Sequence, residues 1–214
     1  MTLATETREV HDFDKVALQG RGEILLQQGD TESLTIEAEP DVLAKLKSEV
    51  QDRRLVLGWK SWLDNILSLR DIKIRYHLVM KTIEGVSISG QGTLGAQQVR
   101  TDQCELQVSG QGEMAIEQIA AQSLDIRISG AGRVTLAGQV DKLSLHISGS
   151  GNMEAEGLQI QESEVQISGT GNATLAVQKK LDVTISGAGN VRYTGSPEVN
   201  QHISGVGRVE PLGR

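Results

Sequence analysis

Few residues in this chain could do chemistry, and they are scattered. The four histidines are His11, His77, His146 and His202. His146 and His202 each precede the isoleucine of a recurring Ser-Gly strand, so both are predicted to face outward. They sit three repeats apart, roughly 14 Å at the usual strand spacing and too far for a shared metal. They read as surface histidines. Cys104 is the only cysteine, which excludes an intramolecular disulfide and a cysteine-based metal site, and it reads as a small buried hydrophobe. No His-Glu-x-x-His, Gly-x-Ser-x-Gly or clustered aspartate motif is present. Gly90-Gln91-Gly92-Thr93-Leu94-Gly95 matches the glycine spacing of a dinucleotide loop. That site needs a helix after the glycines, whereas a strand pattern follows them here. Calcium-binding solenoid repeats place an aspartate after the glycines, and none follows them here. No cofactor and no metal is implied. Trp59 and Trp62 are the remaining candidates: paired tryptophans could stack on a sugar or a partner protein, while the plainer reading packs them in a core.

The elements that would position such residues repeat. Ser-Gly-x-Gly begins at Ser89, Ser109, Ser129, Ser148, Ser168, Ser186 and Ser204, at spacings of 20, 20, 19, 20, 18 and 18 residues. Fourteen of the 24 glycines lie in these seven strings, and Gly20-Arg21-Gly22 resembles an isolated earlier copy. Before each string the apolar residues alternate, as in Leu106 and Val108 or Ile126 and Ile128; after it they alternate again, as in Met114 and Ile116. A period of two marks strands with one buried face. A third apolar position follows, as at Val99, Ile119 and Val140. The glycine pair marks a sharp corner. Units of 18–20 residues are too short for propeller blades and carry no helical period. The fold class is therefore all-β: a parallel β-solenoid of about seven rungs, its interior filled by stacked aliphatic side chains.

Stacking turns sequence columns into surface stripes. The position after each corner holds Thr93, Glu113, Arg133, Asn152, Asn172, Asn190 and Arg208. Glu113 and Arg133 are predicted to form a surface ion pair. Asn152, Asn172 and Asn190 are predicted to form an amide ladder, which is also a candidate binding stripe. The column Ser87, Gln107, Arg127, His146, Gln166, Thr184 and His202 is polar and holds no carboxylate pair.

Residues 1–85 differ. They hold four of the five aromatic residues: Phe13, Trp59, Trp62 and Tyr76. Strand patterns cover Phe13 to Leu26, Leu34 to Ile36 and Ile72 to Tyr76. A strand pair turns at Asp52-Arg53, a helical turn follows Pro40, and Trp62 to Leu69 could form an amphipathic helix. Residues 1–85 are expected to be a β-rich capping subdomain, because an open solenoid end templates other chains. Residues 86–214 are expected to be the solenoid proper. The net charge of −7 excludes a basic nucleic-acid footprint, and no apolar run is long enough to span a membrane.

The frame Phe13-Asp14-Lys15-Val16, Gly20-x-Gly22, Leu34-Thr35-Ile36-Glu37-Ala38 and the serial Ser-Gly-x-Gly rungs resembles the auto-transporter adhesin head domain family, the head GIN domain of bacteria, over about residues 10–210. The resemblance implies a right-handed β-solenoid on a cell-envelope protein (periplasmic, outer-membrane-associated or secreted) behind a leader peptide. Met1–Glu6 has no leader character, so that location supposes a leader removed ahead of Met1. It carries no catalytic residues over. The expected function is a non-catalytic, adhesin-like module binding a carbohydrate or a surface protein. A self-assembling scaffold is the first alternative, against which Pro197 and Pro211 blunt the last edge. A polysaccharide-active enzyme is the second, and it would need an acid pair about 5–10 Å apart. The oligomeric state stays open, with a small homo-oligomer allowed.

Overall fold

A computed structural model describes residues 3–61 and 72–213. Trp62 and the helix expected over Trp62 to Leu69 lie outside the described residues. The repeats form the predicted strands: β8 (Gly85–Gly90), β9 (Thr93–Gly110), β10 (Glu113–Gly130), β11 (Arg133–Gly149), β12 (Asn152–Ile167), β13 (Asn172–Ile185), β14 (Asn190–Thr194), β15 (Glu198–Ile203) and β16 (Arg208–Pro211). Every neighbouring pair among them is parallel. Seven corners bound about six complete turns of a β-solenoid. Strands β9 to β13 run unbroken through the third apolar position of each unit.

The corner geometry explains the glycine pair. Gly110 has φ +108°, and a Cβ there would sit 2.7 Å from the carbonyl oxygen of Gly90 on the turn before. Gly112 faces inward, where a Cβ would meet Ile88 Cγ2 at 2.7 Å. The first glycine thus allows the bend and the backbone approach, and the second leaves room for the core. The ladder stays closed through the corner: Gln111 N–H donates to Gly90 O at 2.9 Å, and Glu113 N–H donates to Gly92 O at 3.0 Å. The uneven repeat lengths are absorbed on the far side of each turn. Register shifts lie between Ile116 and Ile119, Thr135 and Ala137, and Ala155 and Glu162.

Inside, equivalent residues stack. Leu106, Ile126, Leu145, Val165 and Val183 form one column and Val108, Ile128, Ile147, Ile167 and Ile185 another; all ten are buried. A third holds Cys104, Leu124, Leu143, Ser163 and Leu181. Burial pushes the Cys104 thiol up to about 12, with the neighbouring Glu105 carboxylate adding to the shift.

The N-terminal strands continue the stack. The Gly20 copy belongs to β2 (Lys15–Gly20), which lies parallel to β8 with Gly20 opposite Gly90. Its other neighbour is β6 (Arg54–Trp59), joined by a hairpin to β5 (Leu46–Gln51). On the adjoining face β3 (Glu23–Gln28) pairs with β9 and with β7 (Arg75–Met80). Two antiparallel strands, β4 (Ser33–Ala38) and β1 (Ala4–Arg8), finish that side. The predicted helical turn is α1 (Pro40–Leu43), which buries Val42 and Leu43 and whose Leu43 carbonyl accepts a bond from Arg8 at 3.0 Å. One apolar cluster runs from Val10 to Val191.

The Phe13-Asp14-Lys15 string has a structural role. Phe13 is buried, and Asp14 is 3% exposed. The Asp14 carboxylate accepts from Arg53 Nε at 2.6 Å, and Asp14 N–H donates to Arg53 O at 3.0 Å. Asp52 and Arg53 are the turn of the β5–β6 hairpin, both with positive φ, at 49° and 61°. Neither is the glycine such a turn favours, and Asp14 holds the turn from both sides. The carboxylate keeps the Arg53 guanidinium protonated beyond its already high ordinary range.

Two outcomes follow. Gly110→Ala should lower unfolding stability by about 1–3 kcal/mol, read by denaturant titration. Cys104 should resist alkylation at pH 8 in the folded protein and react on unfolding, because the thiolate is the nucleophile and burial suppresses it; mass spectrometry reads this directly.

Candidate functional site

The solenoid corner and two faces supply the candidate stripes. The asparagine ladder forms as predicted: Asn172 Nδ2 donates to Asn152 Oδ1 at 3.1 Å, and Asn190 Nδ2 donates to Asn172 Oδ1 at 3.1 Å. Asn152 spends an acceptor, Asn190 a donor and Asn172 one of each, which leaves further amide groups for solvent or a ligand. Asn172 and Asn190 also border a shallow depression that includes Arg192 and Arg208.

The expected Glu113–Arg133 pair is not the one formed. The two are register neighbours, but Arg133 Nε lies 3.4 Å from the Glu154 carboxylate on the following turn. The arginine side chain is long enough to choose between turns, and it takes the diagonal partner. The polar column is in register, with Arg127 held between Glu105 (2.6 Å) and Asp125 (3.2 Å). His146 is half-buried and His202 exposed. Among the described residues no group of three histidine, cysteine or acidic side chains could hold a metal ion.

Trp59 lies in the core at 8% exposure, opposite Leu46 in the β5–β6 hairpin. Its ring packs inside the N-terminal end and presents little surface to a ligand. Trp62, the other half of the proposed platform, lies outside the described residues.

A cleft that the sequence reading missed opens on the adjoining face. β3 and β9 pair in register from Glu23–Thr93 to Leu26–Ala96 and then part, while β3 stays on β7 to its end. The Gln28 side chain bridges the gap. Its Nε2 donates to the carbonyls of Arg100 (2.9 Å) and Lys81 (3.2 Å), and its Oε1 accepts from Arg100 N–H at 2.7 Å. The side-chain amide does for Arg100 what the next strand residue would have done. The cleft beside it measures about 620 Å³. Leu25, Val79 and Ala115 give it an aliphatic floor, and Gln27, Gln97 and Glu117 carry its polar groups.

The floor is open because of what stands in one outward column. Leu25, Gly95, Ala115 and Thr135 are register neighbours on successive strands. Leu25 is 38% exposed, and a Cβ built on Gly95 would meet nothing within 4 Å. The depression continues over Ala115 and Glu117 toward Glu154 and Glu156. Small residues at outward strand positions were the available signal; the parting of β3 from β9 had none.

The chain resembles solved structures over almost its whole length. A putative adhesin from Bacteroides fragilis is 25% identical with a TM-score of 0.87, covering 99% of this chain and 97% of that one. A putative adhesin from Parabacteroides merdae is 25% identical with a TM-score of 0.73, covering 99% and 96%. A putative lipid binding protein from Parabacteroides distasonis, 20% identical with a TM-score of 0.76, shares the fold over 99% and 97%. A comparison with curated proteins gave no match. The model of the family described as "Putative auto-transporter adhesin, head GIN domain" matches residues 12–197. The repeats, the Phe13-Asp14-Lys15 string and this match together place the chain in that head GIN domain family.

Proposed function

We propose that this chain is a non-catalytic, adhesin-like module of the bacterial cell envelope that holds a neutral surface glycan in the cleft between β3 and β9. The cleft carries the reading. Its aliphatic floor suits the C–H face of a sugar ring, and glutamine side chains offer a donor and an acceptor each to vicinal hydroxyls. The floor lies on strands fixed by their ladders, so little ordering cost accompanies binding. The asparagine ladder is a secondary contact stripe on the same rod. The adhesin family supports the surface role.

A polysaccharide-cleaving reading draws on Glu117, Glu154 and Glu156, which border the continuation of the depression. Glu154 is engaged with Arg133 at 3.4 Å, and the adhesin family supports the non-catalytic reading over this one.

A glycan array followed by calorimetry tests the proposal. The protein should bind a neutral oligosaccharide, and Gly95→Phe should weaken that binding at least tenfold while leaving the melting temperature unchanged or higher. The space above Gly95 is empty and phenylalanine favours strands. Bound glycan should stay intact, with no reducing ends released. Absence of any glycan binding, or binding that Gly95→Phe does not affect, would overturn the reading.

A further inference from the structure

The last turn ends on a half-open core. Val199, Gln201 and Ile203 of β15 stand in register with Leu181, Val183 and Ile185 of β13, all three of which are buried. Val199 and Ile203 are only partly covered, and so is Val209 of β16. Among the described residues no strand lies beyond β15 or β16. Gln201 is the polar exception in an otherwise aliphatic column.

We infer that this terminal turn is an interface for a second copy of the same chain, joined tail to tail about a two-fold axis through Gln201. Three observations carry it. First, the edge is self-complementary. In an antiparallel pair centred on Gln201, Val199 faces Ile203 of the second copy, Gln201 faces its own equivalent, and Asn200 faces His202. Inward residues meet inward ones, and the two Gln201 amides can each donate and accept. Glu198, the one carboxylate of β15, faces Ser204, so no like charges meet along the β15 pair despite the net charge of −7.

Second, the step at the end matches itself. β16 rises one turn above β14, whereas nothing rises above β15. A two-fold axis through the middle of β15 keeps that strand on itself and exchanges the side after it, which β16 raises, with the lowered side before it at residues 195–197, above which no described strand lies. Each copy's β16, with Val209, then sits beside the lowered side of the other. Third, among the described residues the opposite end offers no match. Its outer strands β1 and β5 run antiparallel to their neighbours and carry Glu6, Arg8, Lys47 and Glu49. Head-to-tail stacking would set ionised side chains against the apolar turn. The contact therefore closes at two copies and does not propagate. Pro197 lies just outside the pairing segment of β15, and Pro211 is the last residue of β16.

Sedimentation and small-angle scattering on the full chain test this. A concentration-dependent dimer with nearly twice the monomer's maximum dimension is expected. Val199→Lys should raise its dissociation constant at least tenfold. Gln201→Cys should form an intermolecular disulfide on mild oxidation, since facing positions of antiparallel strands come within disulfide reach. Gln91→Cys, on a side corner, should not. A monomer at every concentration, a dimer indifferent to Val199→Lys, no cross-link at position 201, or open-ended filaments would each overturn the inference.

Discussion

The backbone of one turn touches the backbone of the next at every glycine corner, and the rest of the structure depends on that contact. A side chain at Gly110 would press into the Gly90 carbonyl, so only glycine lets the two turns approach to ladder distance while the chain bends. The approach fixes which residue lies above which. Once the corners are in register, so are the aliphatic columns, and burial follows from stacking like on like. This is why a core with so few rings suffices: each isoleucine or leucine packs against its own equivalents, and shape matching comes from the repeat itself. It also explains where irregularity is tolerated. Turns of 18 to 20 residues coexist because their shifts fall opposite the corner.

That constraint was written openly in the sequence. Seven Ser-Gly-x-Gly strings at an even period, with apolar alternation on both sides, are a local pattern, and local pattern predicted the corners, the inward faces and the asparagine ladder. The Asp52-Arg53 hairpin and the Pro40 helical turn were legible for the same reason. Contacts that depend on long-range choice were not. Arg133 reaches Glu154 and leaves its register neighbour Glu113, because a long exposed side chain has several partners of nearly equal energy. Core packing of Trp59 was the plainer reading of the residue type, but that β6 joins the stack through β2 had no local signal. The Gln28 bridge joins residues 72 positions apart and closes a gap that no composition or period announces.

The candidate cleft and the terminal turn are two consequences of one architecture. Along the body of the rod the strand edges are met by the next turn except at the register shifts, so the surface that remains consists mainly of outward side chains on a rigid lattice. Where a strand departs, as β3 does from β9, a depression opens with a fixed floor. Where the described strands stop, as at β15, an edge with no described strand beyond it and a partly covered core are left. A tail-to-tail pair would carry two clefts on one rod, and two weak contacts to a dense surface bind together far more strongly than either alone.

Removing one turn tests the register constraint most directly. Deleting residues 113–132 joins Gly112 to Arg133 and takes out one full repeat, keeping every remaining corner above another. Deleting residues 113–122 takes out half a repeat and sets corner against strand. Thermal unfolding followed by circular dichroism should give a cooperative β-sheet transition for the full-turn deletion, and no folded baseline for the half-turn one. Equal behaviour of the two, whether both fold or both fail, would contradict the claim that glycine-corner register holds this protein together.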